Sequence, residues 1–237
     1  FFLNRKMNFK PLLKLFSILV MLFSLSFVIP MVVSLIFNDS ASSVFIVTFV
    51  IIFGLGLIGW LFSRDAGDDL NQKDGFIIIT FFWVVLSIAG SMPFILIGMP
   101  LVDAFFESMS GITTTGATVI SNLSTLPESI LFYRQLLQWM GGMGLIVLAI
   151  AVMPLLGIGG GQLYKTEIPG AMNDQKLTPR IKETAKRLWV IYIALTVSEI
   201  ILLKIAGLSF YDAFNYELTS CSTGGFSTKD ASVAAFQ

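Results

Sequence analysis

The sequence predicts an all-α integral membrane protein in which transmembrane helices alternate with short re-entrant half-helices. Three observations carry this. The 237 residues are 55% hydrophobic and only 13% charged, where a soluble domain carries about 25%; so little polar surface cannot solvate a globule of this size. Five apolar runs reach the roughly 20 residues that a hydrocarbon core demands. A segment opening on Asp-Ala-Phe occurs twice, each time after one of those runs and each time too short to span.

The same composition excludes several function classes. A formal net charge of +0 argues against a nucleic-acid binder. One cysteine, Cys221, and no histidine remove a disulfide framework, a Cys/His zinc site and histidine acid–base chemistry. The sequence offers no nucleophile–base pair and no metal cluster, so neither an enzyme nor a cofactor is expected.

The first run, 12–37, follows the basic stretch RKMNFKPLLK. It is too long for a signal-peptide core and lacks a small-x-small cleavage site, so it reads as a retained helix. The chain opens on Phe1 with Met7 its first methionine, and is expected to be part of a longer one. NDSASS (38–43) is a polar turn leading to the second run, 44–62. The charged loop SRDAGDDLNQKDG (63–75) precedes the third, 76–99. The fourth, 130–156, and fifth, 188–206, are separated by a long polar connection, 157–187. With the N-terminus inside, only Arg134, Lys204 and Lys229 of the 15 basic residues fall on the outer side, which fixes the expected orientation.

The two outer connections carry the repeat. DAFFESMSGI (103–112) and DAFNYELTSC (212–221) are each followed by a hydroxyl-and-glycine run, TTTGAT (113–118) and STGGFST (222–228). A gapless match pairs Gly116 with Gly225. A slip of one residue pairs Thr114-Thr115-Gly116 with Ser222-Thr223-Gly224, and is preferred because three consecutive residues of similar chemistry then coincide; both matches stay open. Asp103 and Asp212 are expected at the helix N-caps.

Non-helical backbone at membrane depth must be buried in protein or line a watery cavity. A half-helix entering from outside points its partially negative C-terminus inward. The loop that follows exposes carbonyl oxygens, which can replace the hydration shell of a cation. Gly116 and Gly224 supply the backbone freedom, the hydroxyls add acceptors, and Glu107, Glu128, Glu217 and Asp230 are expected to form an acidic vestibule. A single such loop reads equally well as an ordinary extracellular turn; two copies in matched topology favour the cation site.

DAFFESMSGITTTGATVI, FYRQLLQWMGGMGLIVLAIAVMPLLGIGGGQLYKTEIPG and STGGFSTKDAS resemble the membrane subunit of Trk-type bacterial potassium uptake systems, which group with the Ktr and HKT transporters. The resemblance implies four membrane–pore-loop–membrane repeats around one pore, preceded by an extra helix pair. On this chain it implies a helix pair at 1–75, a first repeat at 76–157, a cytoplasmic loop at 158–187 and a second repeat from 188 to 237. It implies potassium as the transported ion, bound by filter carbonyls at Thr114, Thr115, Gly116, Ser222, Thr223 and Gly224. It further implies a bacterial inner membrane with its lipid, a homodimer at full length, and a cytosolic nucleotide-binding regulatory subunit, with the basic stretch 162–187 as its contact. The family chain is about twice as long. The second repeat's closing helix, repeats three and four, the gating loop and a pore arginine would lie beyond residue 237, so truncation is expected.

Other features weigh less. GLGLIG (54–59) matches a dinucleotide fingerprint literally but lacks the strand–turn–helix context, so its glycines read as helix packing. WMGGMG (139–144) reads first as helix packing and second as a wall behind the filter. GIGGG (157–161) reads as a helix terminator. Thr178-Pro179 marks a helix start, and Glu183–Arg187 an i,i+4 pair. Glu199, inside the fifth run, is either a functional residue, a residue facing the outer interface, or a partner of Lys204. Pro30, Pro93 and Pro154 are candidate kinks. Two rival functions remain. A broken-helix carrier of organic anions or amino acids would aim half-helix N-termini at its substrate; a membrane scaffold would assign the loops no role.

Overall fold

The structure, a computed structural model, describes residues 9–67, 72–152 and 177–236. Every regular element among them is helical. The first apolar run is one span in three pieces: α1 (Phe9–Ser24), a 3-10 turn (Leu25–Phe27) and α2 (Val28–Phe37). The break has a local cause. Pro30 has no N–H to offer the carbonyl four residues earlier, and the chain tightens there. Asn38, at φ 52°, ends α2 in the left-handed conformation, and the chain turns back into α3 (Ser42–Ser63).

GLGLIG is a packing seam. A Cβ on Gly56 would lie 2.6 Å from Met21 Cγ and 3.0 Å from the Ser17 carbonyl, and one on Gly59 would strike Ser17 Oγ. Small residues let α1 and α3 approach this closely. Gly54 faces open space, so two of the three glycines belong to the seam.

Two longer helices follow, α4 (Gln72–Leu96) and α6 (Glu128–Val152), of 25 residues each, or about 37 Å at 1.5 Å per residue. Between them lies the half-helix α5 (Leu101–Ile112). Then come α7 (Leu177–Ile205) and the second half-helix α8 (Phe210–Cys221). The five runs thus appear as α1–α2, α3, α4, α6 and α7. Phe9–Phe37, Ser42–Ser63 and Glu183–Ile205 are long and apolar enough to cross a membrane. The end of the fourth run, Pro154, GIGGG and most of the basic stretch 162–187 lie outside the described residues. So do the side chains of Thr178 and Pro179. Pro93 sits inside the last turns of α4, and Arg187 meets Glu183 at 3.4 Å as spaced.

Tyr133 of α6 is the hub of the core. The rings of Phe27, Phe45 and Phe94 lie 5.7, 5.7 and 5.4 Å from its own, and its hydroxyl donates to the Gly90 carbonyl at 2.8 Å. One side chain therefore joins the first helix pair to α4 and α6. On the outer faces the apolar residues are exposed, as at Ile46, Val50, Leu57 and Leu61 on α3 and Val190, Val197, Ile201 and Leu202 on α7. Apolar surface this continuous needs a covering of lipid or of further protein rather than water.

Candidate functional site

The two half-helices are built alike, residue for residue. Gly98 and Gly207, Thr114 and Thr223, and Gly116 and Gly225 have matching positive φ angles of 96° and 102°, 55° and 56°, and 75° and 86°. Each pair is 109 residues apart, and so are the ends of α4 and α7 at Leu96 and Ile205. The gapless match is therefore the one the backbone adopts. The slipped match of Thr114-Thr115-Gly116 with Ser222-Thr223-Gly224 is corrected: Ser222 is equivalent to Thr113, and Gly224 to Thr115.

Both half-helices end in the same motif. The N–H of Thr114 donates to the Gly111 carbonyl at 2.9 Å, and that of Thr115 to Ser110 at 2.9 Å. Thr223 donates to Ser220 at 2.9 Å, and Gly224 to Thr219 at 2.8 Å. These are Schellman closures, which normally place glycine at the left-handed position. Here threonine occupies it twice, a strained choice for a β-branched residue. The first hydroxyl of each loop is already engaged: Thr113 Oγ1 donates to Met109 at 2.7 Å and Ser222 Oγ to Leu218 at 2.8 Å. The helix starts differ from expectation. Pro100 and Ser209 are the N-caps, and Asp103 and Asp212 lie three residues in. Ser209 Oγ accepts from Asp212 N at 3.0 Å and donates to its carboxylate at 2.6 Å. The aspartates thus act in the first turn, where negative charge complements the helix dipole.

The two loops meet. A Cβ on Gly116 would collide with the carbonyl oxygen of Gly224, so only glycine lets the two loops touch there. Behind them stands α6. A Cβ on Gly141 would strike the Ile112 carbonyl at the end of α5, and one on Gly142 would lie 3.0 Å from Ser222 Cβ at the end of α8. WMGGMG is therefore both packing and wall, with adjacent glycines seating the C-termini of both half-helices.

The same helix grips the second loop through a polar face that the sequence reading overlooked. Gln138 packs against Gly224; its Oε1 accepts from Phe226 N at 3.1 Å and from the Thr219 hydroxyl. The Gln135 amide, oriented to satisfy both neighbours, accepts from Thr228 N at 3.2 Å. Arg134 Nη1 donates to the Ser227 carbonyl at 3.0 Å, and its guanidinium lies 4.3 Å over the Phe226 ring. All three side chains are fully buried. The signal for them in the sequence is polar residues inside an apolar run.

The expected acidic vestibule is half corrected. Glu107 and Glu217 are fully buried. Arg134 Nε donates to Glu107 at 2.7 Å, and both Glu217 oxygens are buried with no hydrogen-bond partner among the described residues. Glu128 and Asp230 do line an open groove of about 670 Å³, with Asp212 and Lys229. Glu199 is half-buried, and Lys204 donates to the Leu208 carbonyl at 3.2 Å, closing its own helix end. Among the described residues no group of three or more Cys, Asp or Glu side chains could hold a metal.

A family model described as TrkH, cation transport protein, matches residues 41–237. The Trk system potassium uptake protein TrkH of Vibrio parahaemolyticus serotype O3:K6 is 47% identical over 233 residues, covering 97% of this chain and 48% of its own length. The protein of the same name from Escherichia coli K12 gives the same figures. TrkI of Halomonas elongata is 32% identical over 229 residues. The crystal structure of the potassium transporter TrkH from Vibrio parahaemolyticus superposes with a TM-score of 0.84 at 43% identity, covering 98% of this chain and 47% of that one. The chain spans about half the length of the curated relatives it matches.

Proposed function

Because the chain belongs to the TrkH family of cation transport proteins, we propose that it forms part of a potassium uptake protein whose filter includes both loops. The observation that carries this is the meeting of two identically closed half-helix C-termini at Gly116 and Gly224. Helix C-termini concentrate negative potential, and loop carbonyls at that point offer a dehydrating potassium ion the oxygens that water gave up. Thr114, Thr115 and Gly116 serve the first loop. Thr223, Gly224 and Gly225 serve the second, with Ser222 anchoring its start. An anion carrier would want helix N-termini here.

The remaining assignments follow the same reading. Residues 1–75 form the leading helix pair, 76–157 the first repeat, 158–187 a cytoplasmic connection and 188–237 the second repeat. The N-terminus lies in the cytoplasm of a bacterium and the loops face outward across its inner membrane. The full-length protein pairs with a second copy and with a cytosolic nucleotide-binding regulator. The test is uptake by the full-length chain carrying this segment in a strain lacking potassium uptake. Gly116→Ser is expected to reach the membrane and to lose preference for potassium over sodium. An unchanged preference refutes the filter.

A further inference from the structure

We propose that Arg134 is the positioning residue that sets the distance between the two loops, and through it the discrimination between potassium and sodium. This rests on the filter reading above. Arg134 belongs to α6, yet its donors are divided among three other segments. Nε and Nη2 bond Glu107 Oε1 on α5, both at 2.7 Å. Nη2 also donates to Thr118 Oγ1 of the first loop at 3.1 Å, and Nη1 to the Ser227 carbonyl of the second at 3.0 Å. Thr118 and Ser227 are 109 residues apart, the interval that relates the two loops. One rigid planar group therefore holds equivalent positions of both repeats.

The chemistry requires arginine. Its donors leave a plane in fixed directions, whereas lysine concentrates its donors on one flexible nitrogen. Lysine could reach Glu107, or one loop, but could not span all three with the same geometry. Glu107 completes the device. It neutralises the guanidinium, accepts from Thr118 Oγ1 at 3.0 Å and from Val119 N at 3.3 Å, and so binds the first loop to its own half-helix. An unneutralised cation buried here would repel the ion being transported. With the pair intact, the loops are held without a net charge behind them.

The test compares wild type, Arg134→Lys and the double variant Arg134→Leu/Glu107→Leu in the full-length chain, with membrane abundance and initial rates of potassium and sodium uptake measured together. The double variant removes the bridge without stranding a buried charge. Arg134→Lys keeps the charge and loses the fork. Both are expected at near wild-type abundance with the potassium-to-sodium rate ratio lowered about tenfold or more, as displaced carbonyls fit the larger ion less well. A variant that reaches the membrane with the wild-type ratio overturns the proposal. So does failure of both to accumulate, which would make Arg134 a folding residue. Gly116→Ser separates the two readings: if it relaxes selectivity and the Arg134 variants do not, only this inference fails; if it leaves selectivity unchanged, the filter reading fails with it.

Discussion

Thr114 and Thr223 hold φ angles of 55° and 56°, which cost an L-residue roughly 1–2 kcal/mol each. The neighbouring glycines separate strain from space. Gly225, at φ 86°, has nothing within 4 Å of where a Cβ would sit. Gly225→Ala is therefore expected to cost only the backbone term, about 1–2 kcal/mol, and to lower the melting temperature of the purified full-length chain by a few degrees. Gly116→Ala meets the same strain at φ 75° and also the Gly224 carbonyl, which is main chain and cannot rotate away. It is expected to destabilise more and to disturb both loops. Equal melting temperatures for the two variants would contradict this account of where the loops touch. The sequence could not have ranked these glycines. TTTG and STGG match best by chemistry with a slip of one residue, but the left-handed position falls on a threonine in each copy, a residue that propensity would not place there.

Helix α6 was legible as an apolar run and its glycine pair as a close contact; its role in holding both repeats was not. Helical periodicity says which residues share a face but not which distant loop that face meets. Arg134, Gln135 and Gln138 are buried against residues roughly ninety positions later, beyond the reach of any local pattern. The glycines of α6 form a graded series. A Cβ at Gly141 would enter the Ile112 carbonyl. At Gly142 it would press on the Tyr192 hydroxyl at 2.9 Å and Ser222 Cβ at 3.0 Å. At Gly144 it would touch Phe82 only at 3.9 Å. Alanine gains roughly 1 kcal/mol over glycine in a helix interior, while overpacking costs roughly 1–3 kcal/mol. Thermal unfolding in detergent should accordingly find Gly144→Ala neutral or stabilised, Gly142→Ala mildly destabilised and Gly141→Ala the worst. A destabilised Gly144→Ala, or a benign Gly141→Ala, would break the assignment of α6 as the shared wall.

At the scale of the whole molecule, the leading helices and the first repeat are joined at two levels, by the aromatic cluster on Tyr133 and by a polar joint at the loop-bearing end. Composition made the apolar outer surface legible. It could not reveal this joint, because NDSASS looks like any polar turn. Asp39 accepts from Ala41 N at 3.1 Å, from Ser129 N at the start of α6 at 2.9 Å, and from the Ser34 hydroxyl. Burial raises its pKa, but the hydrogen bonds from Ser34, Ser129 and Ala41 outweigh that and leave it below the ordinary carboxylate value. A depressed folded-state pKa means that the ionised form stabilises the fold. That contribution is complete above the unfolded value, near 4, and disappears as the pH falls through the lower folded value. Asp39→Asn should therefore unfold more easily than wild type at pH 7, by about 1–2 kcal/mol for the lost charge-assisted bonds. The gap should close as both proteins are taken below pH 4. A gap that stays constant over that range would mean Asp39 acts by shape alone, and the turn would no longer count as an electrostatic tie between α2 and α6.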